Sequence, residues 1–185
     1  LKFSRGGTER MRIDSSGNVL VGKTASNFAN SGVELRPAGE IVLTRSGDLI
    51  TTRRVNTEGV HMSIRNISGT TIGSISTNGT STSFNTSSDY RLKENVVDID
   101  DGISRVKQLQ PKRFNFISDD TKTVDGFIAH EAQTVVPEAV TGEKDGESMQ
   151  GIDQSKLVPL LTAALQEAIA KIETLEAKVA ALKAE

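Results

Sequence analysis

The chain has 185 residues, enough for one domain or for two small ones. Only 36% of its residues are hydrophobic and 4% aromatic, so a compact monomer would have little core and burial between subunits is favoured. A net charge of -2 without clustered Lys and Arg argues against nucleic acid as a partner. The lack of Cys excludes disulfides, and no apolar run reaches the roughly 20 residues of a membrane helix. Because the chain begins at Leu1 and not at Met, we expect it to be part of a longer protein.

Residues 1–87 have the pattern of short β-strands separated by turns. Strands are predicted at 11–13 and 19–21, and segments 33–35 and 40–43 form a predicted hairpin around a Pro-Ala-Gly-Glu turn. The stretch from 63 to 87 is mostly Ser, Thr, Gly and Asn, a composition that also fits disorder. Its regularly spaced isoleucines favour instead a fibrous β stem that packs them against other subunits; they are Ile64, Ile67, Ile72 and Ile75.

Residues 88–152 have the pattern of a small α+β domain. A short helix is predicted at about 101–109, with Ile103, Val106 and Leu109 on one face and Pro111 beyond its end. The chain then alternates like a strand at 113–117, turns at 119–122 and continues as a strand at 126–128. A second helix is predicted at 129–136, before Pro137, and a turn at 142–146.

Residues 153–185 predict a long helix with a heptad seam. Asp153 or Ser155 is the predicted N-cap, and Pro159 must lie in the first turn or kink the helix. Apolar residues alternate at spacings of three and four, the pattern of a coiled coil, although an amphipathic helix lying on its own domain is an alternative. By residue type the seam leans towards a dimer, but heptads alone leave two or three strands open. The seam residues are Val158, Leu161, Leu165, Ala168, Ile172, Leu175, Val179 and Leu182.

Metal, cofactor and sugar-cleaving sites find little support in the sequence. The only two histidines, His61 and His130, lie in different segments without a Cys partner, so no zinc site is expected. The acidic run at 98–102 places its Gly one position too early for a calcium loop. No phosphate-binding Gly-rich loop is present, and no pair of carboxylates stands out for glycoside hydrolysis. We therefore expect no metal and no cofactor.

One serine and one lysine have a spacing that permits chemistry. A neutral lysine amine can act as the base for a serine hydroxyl, and Ser88 and Lys93 are near enough to meet across a turn. The Ser88 hydroxyl can also attack the carbonyl of Ser87 through a five-membered ring, and hydrolysis of the resulting ester would cut the chain between them. Spacing alone supports this weakly, because an ordinary turn and a solvated lysine explain the same residues.

The chain from Ser88 onward resembles the C-terminal intramolecular chaperone, or auto-processing, domain of phage tailspikes, tail fibres and endosialidases. The motifs that carry the resemblance are SDYRLKENV at 88–96, GFIAHEAQTVVPEAV at 126–140 and GIDQSKLVPLLTAALQEA at 151–168. It implies a domain that trimerises, guides folding of the β-rich fibre before it and is then released by cleavage. Ser88 and Lys93 match the positions of the nucleophile and its base, so the resemblance implies a cut at Ser87–Ser88.

Together these features predict a β-rich fibrous N-terminal half, then a small α+β domain ending in a long C-terminal helix that forms a trimeric coiled coil. The expected function is the end of a phage tail fibre or tailspike with a single-turnover, self-cleaving serine peptidase. The expected partners are two further copies, upstream fibre components and a host surface receptor, without nucleic acid or membrane insertion. The fibre part would reside in the virion tail and the chaperone would act in the host cytoplasm. One alternative is a trimeric adhesin stalk with a permanent coiled-coil cap, and another is a carbohydrate-degrading tailspike whose catalytic part precedes Leu1.

Overall fold

The computed structural model describes residues 1–184, and the chain divides into two compact units, Leu1–Leu92 and Lys93–Glu185. The first unit is built from two antiparallel sheets. The second combines short helices, two small hairpins and one long C-terminal helix. None of the described helices has the length and hydropathy of a membrane span. The chain is thus β-rich in its first part, with a small α+β domain and a long helix after it.

Five consecutive strands form the first sheet as an antiparallel meander. They are β1 (Lys2–Arg5), β2 (Thr8–Ile13), β3 (Val19–Val21), β4 (Gly32–Leu35) and β5 (Ile41–Thr44). The predicted strands and the hairpin around residues 37–40 are confirmed, with Gly39 at a φ of 85° closing the turn. Leu20 and Val42 are the buried apolar side chains of this sheet.

A buried ion pair lies in the same sheet. The Lys23 ammonium contacts the Glu34 carboxylate at 2.7 Å, and their side chains are only 1% and 0% exposed. Glu34 also accepts hydrogen bonds from Ser26 at 2.7 Å and Arg36 at 3.0 Å. Hydrogen bonding, chiefly from Lys23 and then from Ser26, lowers the pKa of Glu34 from 4.5 to about 2. The carboxylate is therefore buried with its partners in place, which makes the pair a fixed part of the sheet.

Three strands form the second sheet: β6 (Gly59–Arg65), β7 (Thr71–Thr77) and β8 (Thr82–Thr86). The polar stretch after residue 63 is thus folded as strands and turns. The strands are confirmed for this stretch, while packing of its isoleucines against other subunits stays a prediction. Ile67 lies in the turn between β6 and β7 and is fully exposed, while Ile72 and Ile75 point to opposite faces of β7 because they are three residues apart.

One face of the second sheet carries a row of apolar side chains across its three strands. Met62 pairs with Ile75, which pairs with Phe84, so these three side chains share a face. Met62 and Phe84 are exposed there. On the other face the Asn85 amide donates to the hydroxyls of Ser74 and Ser76 at 3.2 and 2.9 Å. The sheet in a single chain therefore presents an uncovered apolar face, which is a property of interaction surfaces.

The second unit begins its secondary structure with α1 (Gly102–Val106), the hairpin β9 (Lys112–Phe116) and β10 (Asp119–Gly126), and α2 (Ala129–Gln133). A 3-10 turn at Pro137–Ala139 leads to β11 (Val140–Thr141), which pairs with β12 (Gly151–Ile152). A further 3-10 turn at Gln154–Lys156 precedes α3 (Leu157–Lys183). The long C-terminal helix and the turn at 142–146 are as predicted.

Three predictions for this unit were wrong in detail. The helix predicted at 101–109 ends at Val106, because the following backbone bonds tighten to the i-to-i−3 pattern ahead of Pro111. The helix predicted at 129–136 ends at Gln133. Val136 precedes Pro137 and is not helical, because the residue before a proline disfavours the α conformation. The strand predicted at 126–128 ends at Gly126 and begins earlier, because the predicted turn at 119–122 is an irregularity within β10.

The core of the second unit gathers around the start of α3. Its buried residues are Ala132, Val135, Val136, Ala139, Val140, Leu157 and Leu160. Gly102 brings α1 against α3 so closely that a Cβ at this position would lie 2.5 Å from the Ala164 amide nitrogen. The Gly102 N–H donates to the Glu167 carboxylate at 2.5 Å, which satisfies a free amide at the N-terminus of α1.

Candidate functional site

The predicted cleavage site begins where β8 ends. Ser87 follows Thr86, the last residue of the strand, and its N–H donates to the Ile72 carbonyl on β7 at 3.0 Å. The Ser87 hydroxyl donates to the next carbonyl, that of Thr71, at 3.3 Å. Ser87 is therefore joined to β7 through both its backbone and its side chain, and Ser88 is the first residue beyond these bonds.

A turn organised by Asp89 follows the serine pair. The Asp89 carboxylate accepts the Arg91 N–H at 2.9 Å and a bidentate pair of bonds from the Arg91 guanidinium at 2.9 and 2.7 Å. The Asp89 carbonyl accepts the Leu92 N–H at 3.1 Å, which closes the 3-10 turn Tyr90–Leu92. Hydrogen bonding to Asp89 raises the pKa of Arg91. Ser88 thus stands between two residues with defined backbone positions.

Lys93 is the first residue of the second unit. The segment after it is exposed as far as residue 100, and Asn95 adopts a φ of 54°, a left-handed conformation that Asn tolerates better than most residues. Large apolar side chains are exposed around Lys93; they are Tyr90, Leu92, Val96 and Val97. Neighbouring exposed apolar side chains of this kind are typical of interaction surfaces.

The chemistry available at Ser88 follows from covalent geometry. The hydroxyl and the carbonyl carbon of the preceding residue are separated by few enough bonds to close a five-membered ring. The reaction requires a base for the hydroxyl proton, and a lysine amine serves only when it is neutral. Burial favours the neutral amine, whereas Lys93 is exposed in the single chain.

The predicted coiled-coil seam lies on the solvent side of α3. All its leucines, isoleucines and valines are exposed, and Ala168 is half-buried. The residues of the same helix that pack on the domain are a different set, namely Leu157, Leu160, Ala163 and Ala164. Pro159 lies in the first turn of the helix, where proline is tolerated. One helix therefore has a face for its own domain and a second apolar face without a partner in the single chain.

The residues that cap or fix backbone segments were only partly predicted. Asp153, a predicted cap of the long helix, caps the 3-10 turn before it by accepting the Ser155 N–H, whereas α3 begins at Leu157 and its N-cap residue, Lys156, makes no side-chain cap. Glu167 and the Asp89–Arg91 pair were missed, because their partners are recognisable only from the folded backbone. Among residues 1–184, His, Asp and Glu side chains form no group of three that would hold a metal ion.

Comparison with known families gives a match for residues 88–141. Residues 88–141 match the family Peptidase_S74, described as chaperone of endosialidase. The match begins at Ser88, directly after Ser87, and extends through α1, the β9–β10 hairpin, α2 and β11. It confirms the resemblance drawn from the motifs at 88–96 and 126–140. No curated protein matches the chain.

Proposed function

We propose that this chain is the C-terminal part of a phage tail fibre or tailspike and that residues 88–185 act as an intramolecular chaperone for the β-rich part before them. The observation that carries this proposal is the chaperone-of-endosialidase match at residues 88–141, immediately after a β-sheet. Residues 1–87 are the stem or tip of the fibre, residues 88–152 are the chaperone domain and residues 153–185 are its assembly helix. Further partners are upstream fibre components and, through the fibre, a host surface receptor.

The chaperone works by bringing three copies together. The exposed seam of α3 supports this, because a regular apolar stripe on one helix is covered most simply by the same stripe on other copies. Strand pairing between distant segments is slow and exposes edges while it proceeds. A self-associating domain raises the local concentration of three fibre chains to about the millimolar range, which favours their pairing over aggregation.

The chaperone is then released by one autoproteolytic turnover at Ser87–Ser88. The Ser88 hydroxyl attacks the Ser87 carbonyl carbon, Lys93 accepts the hydroxyl proton, and the C–N bond breaks as the Ser88 nitrogen takes up a proton to become a free amine. Water hydrolyses the resulting ester, leaving a carboxylate on Ser87 and restoring the Ser88 hydroxyl. Assembly activates the step by burying Lys93 together with the apolar residues around it, which favours the neutral amine.

Denaturing electrophoresis with mass spectrometry tests this function. The wild type of 19.8 kDa should give two fragments of similar size, the second beginning with Ser88. Ser88→Ala and Lys93→Ala should remain whole, while Ser104→Ala on α1 and Lys107→Ala directly after it, the same changes elsewhere in the chain, should be cut like the wild type. An uncut but trimeric wild type would favour the alternative function, a stalk with a permanent coiled-coil cap.

The place of action follows from the proposed sequence of events. The chaperone acts in the host cytoplasm during assembly, and the fibre part becomes a component of the virion tail.

Activity on other proteins is not expected, because the attacked carbonyl belongs to the residue directly before the nucleophile. A mixture of wild-type chain with a Ser88→Ala chain should leave the variant chains uncut, which gel electrophoresis of a tagged variant would show.

A further inference from the structure

A polar cleft lies in the first unit, between the segment that precedes β6 and the turn that joins β7 to β8. Its volume is about 580 Å³, and it is lined by residues 52–54, 58, 61, 77 and 79–82. The lining side chains carry hydroxyl, guanidinium, carboxylate and imidazole groups. Clefts of roughly 300–1,000 Å³ hold small-molecule ligands, so the size and the polar lining together fit a small polar molecule.

A chain of hydrogen bonds forms one wall of the cleft. The Thr77 hydroxyl donates to the Glu58 carboxylate at 2.5 Å, so its oxygen is left to accept the Nε2–H of His61 at 3.0 Å. With its proton on Nε2, the His61 ring accepts the Thr52 hydroxyl at Nδ1 over 2.8 Å. Only one Glu58 oxygen takes part in these bonds. Among the described residues the other oxygen has no donor, and it can accept a hydrogen bond from a ligand.

Arg54 is fixed in the cleft with part of its guanidinium unused. Its Nε and Nη2 donate to the carbonyl and the hydroxyl of Thr57 at 3.3 and 3.1 Å, and its Nη1 donates to the Val60 carbonyl at 3.0 Å. A guanidinium has five N–H groups, so within the described chain one N–H remains on each terminal nitrogen. Gly59, at a φ of 142°, lies against this group, since a Cβ there would be 3.5 Å from Arg54 Cζ. The donors are therefore held in place before a ligand arrives.

The opposite charges of the cleft do not neutralise each other. Within the described residues no salt bridge joins Arg53 or Arg54 to Glu58. An anion would be attracted by the arginines but repelled by Glu58, and a cation would meet the reverse. A hydroxyl both donates and accepts, so neighbouring hydroxyls of one neutral ligand can accept from Arg54 and donate to Glu58.

We propose that this cleft binds a neutral sugar unit of a glycan, with Arg54 and Glu58 as its principal contacts. The proposal rests on the proposed function and names the chemistry of the surface receptor that the fibre part meets. The cleft binds the sugar without cleaving it. Among the described residues that line it, Glu58 is the only carboxylate, whereas glycoside hydrolysis generally uses two.

The test measures sugar binding by saturation-transfer difference NMR on the full-length chain with Ser88→Ala, which keeps the fibre part joined to the chaperone. The probes are the methyl glycosides of glucose, galactose and mannose, and methyl glucuronide as the carboxylated counterpart of the glucoside. At least one neutral glycoside should bind at millimolar concentration and more tightly than the glucuronide. Binding of the glucuronide alone, or of no neutral glycoside, would overturn the proposal.

Glu58→Gln distinguishes a neutral ligand from an acidic one. The amide oxygen can still accept the Thr77 hydroxyl, but the charged acceptor for the ligand is lost. Binding of the neutral glycoside should weaken roughly tenfold, as expected for the loss of one hydrogen bond to a charged group. Unchanged or tighter binding would contradict a contact with Glu58. Glu40→Gln makes the same change in the first sheet, outside the cleft lining, and should bind like the parent chain.

Arg54→Lys keeps the positive charge but removes the planar set of donors. The neutral glycoside should again bind roughly tenfold more weakly, because an ammonium cannot replace both remaining N–H groups in one plane. Arg45→Lys, outside the cleft lining, is the matched control and should bind like the parent chain. Circular dichroism reports whether each variant folds. Equal weakening in a control and its cleft variant would assign the loss to a general effect and overturn the proposal.

Sugar binding and cleavage can fail separately, because neither Ser88 nor Lys93 lines the cleft. An uncut wild type that binds the glycoside through Arg54 and Glu58 would overturn autoproteolysis and support the sugar site. A wild type that is cut but binds no neutral glycoside would overturn the sugar site and leave the proposed chaperone function standing.

Discussion

Replacement of Leu175 by Ser is expected to weaken trimer assembly without unfolding the chain. Leu175 lies in the part of α3 that extends beyond the packed core of the second unit, and its side chain is 60% exposed. Because it makes little contact with its own domain, the free energy of folding of a single chain should change little. Its predicted partner surface is the same seam on two other chains.

The size of the effect follows from the exposed fraction. Burying a whole Leu side chain contributes about 2 kcal/mol, so covering the exposed 60% contributes about 1.2 kcal/mol per chain. Three chains lose about 3.6 kcal/mol per trimer, which corresponds to a roughly 400-fold lower association constant. Ser also lowers helix propensity by up to about 0.5 kcal/mol relative to Ala, a cost that a matched control must share.

Ala177→Ser is that control, because it introduces the same residue on α3 outside the seam. Sedimentation equilibrium should show the loss for Leu175→Ser and near-wild-type association for Ala177→Ser, with Ser88→Ala in every chain to prevent cleavage. Equal association of the two variants would refute a seam through Leu175. An unassociated parent chain at micromolar concentration would refute assembly through α3 altogether.

Two further predictions concern the stability of each unit. Gly102→Ala should lower the thermal unfolding midpoint of the second unit, because the added Cβ would lie 2.5 Å from the Ala164 amide nitrogen. Overpacking of this kind costs about 1–3 kcal/mol of folding free energy. An unchanged midpoint in calorimetry would contradict the close packing of α1 on α3. In the first unit, the lowered pKa of Glu34 means that its ionised form stabilises the sheet above pH 4.5, and this contribution is lost as the pH falls towards about 2. The difference in thermal midpoint between wild type and Glu34→Gln should therefore be largest near neutral pH and shrink in acid, as followed by circular dichroism; a constant difference would contradict a role for ionised Glu34.

The sequence was most informative where local chemistry decides the structure. The hairpin around Gly39 follows from turn residues, and the long helix after residue 156 follows from apolar spacing that no strand could satisfy. Boundaries near Pro111 and Pro137 were less predictable. Proline excludes helix from the residues beside it but does not fix how many residues earlier the last helical bond forms, so both helices ended earlier than expected.

Contacts between distant residues could not be read from the sequence. Glu167 reaches the N-terminus of α1 across 65 residues, and nothing about an isolated glutamate in a helix indicates that partner. The Lys23–Glu34 pair resembles any two surface charges until the fold buries them. The same is true of the candidate site: the Ser88–Lys93 spacing was visible, but the attachment of Ser87 to β7 depends on a strand register that these Ser- and Thr-rich strands specify only weakly.

Each unit, taken by itself, leaves an apolar surface uncovered: Met62 and Phe84 on the second sheet, and the seam of α3 in the second unit. A chain with both surfaces has two ways to associate, and the proposed cut separates them. In the proposed function, the α3 seam holds the copies together while the chain is whole, so that strand pairing between fibre segments can be attempted repeatedly. After the cut, a fibre held by its own sheet surfaces has lost the element that brought the copies together. The cut fibre would still have to cross the whole activation barrier to unfolding, but an unfolded fibre could no longer reassemble with the help of the chaperone. The folded fibre would therefore persist because it unfolds slowly.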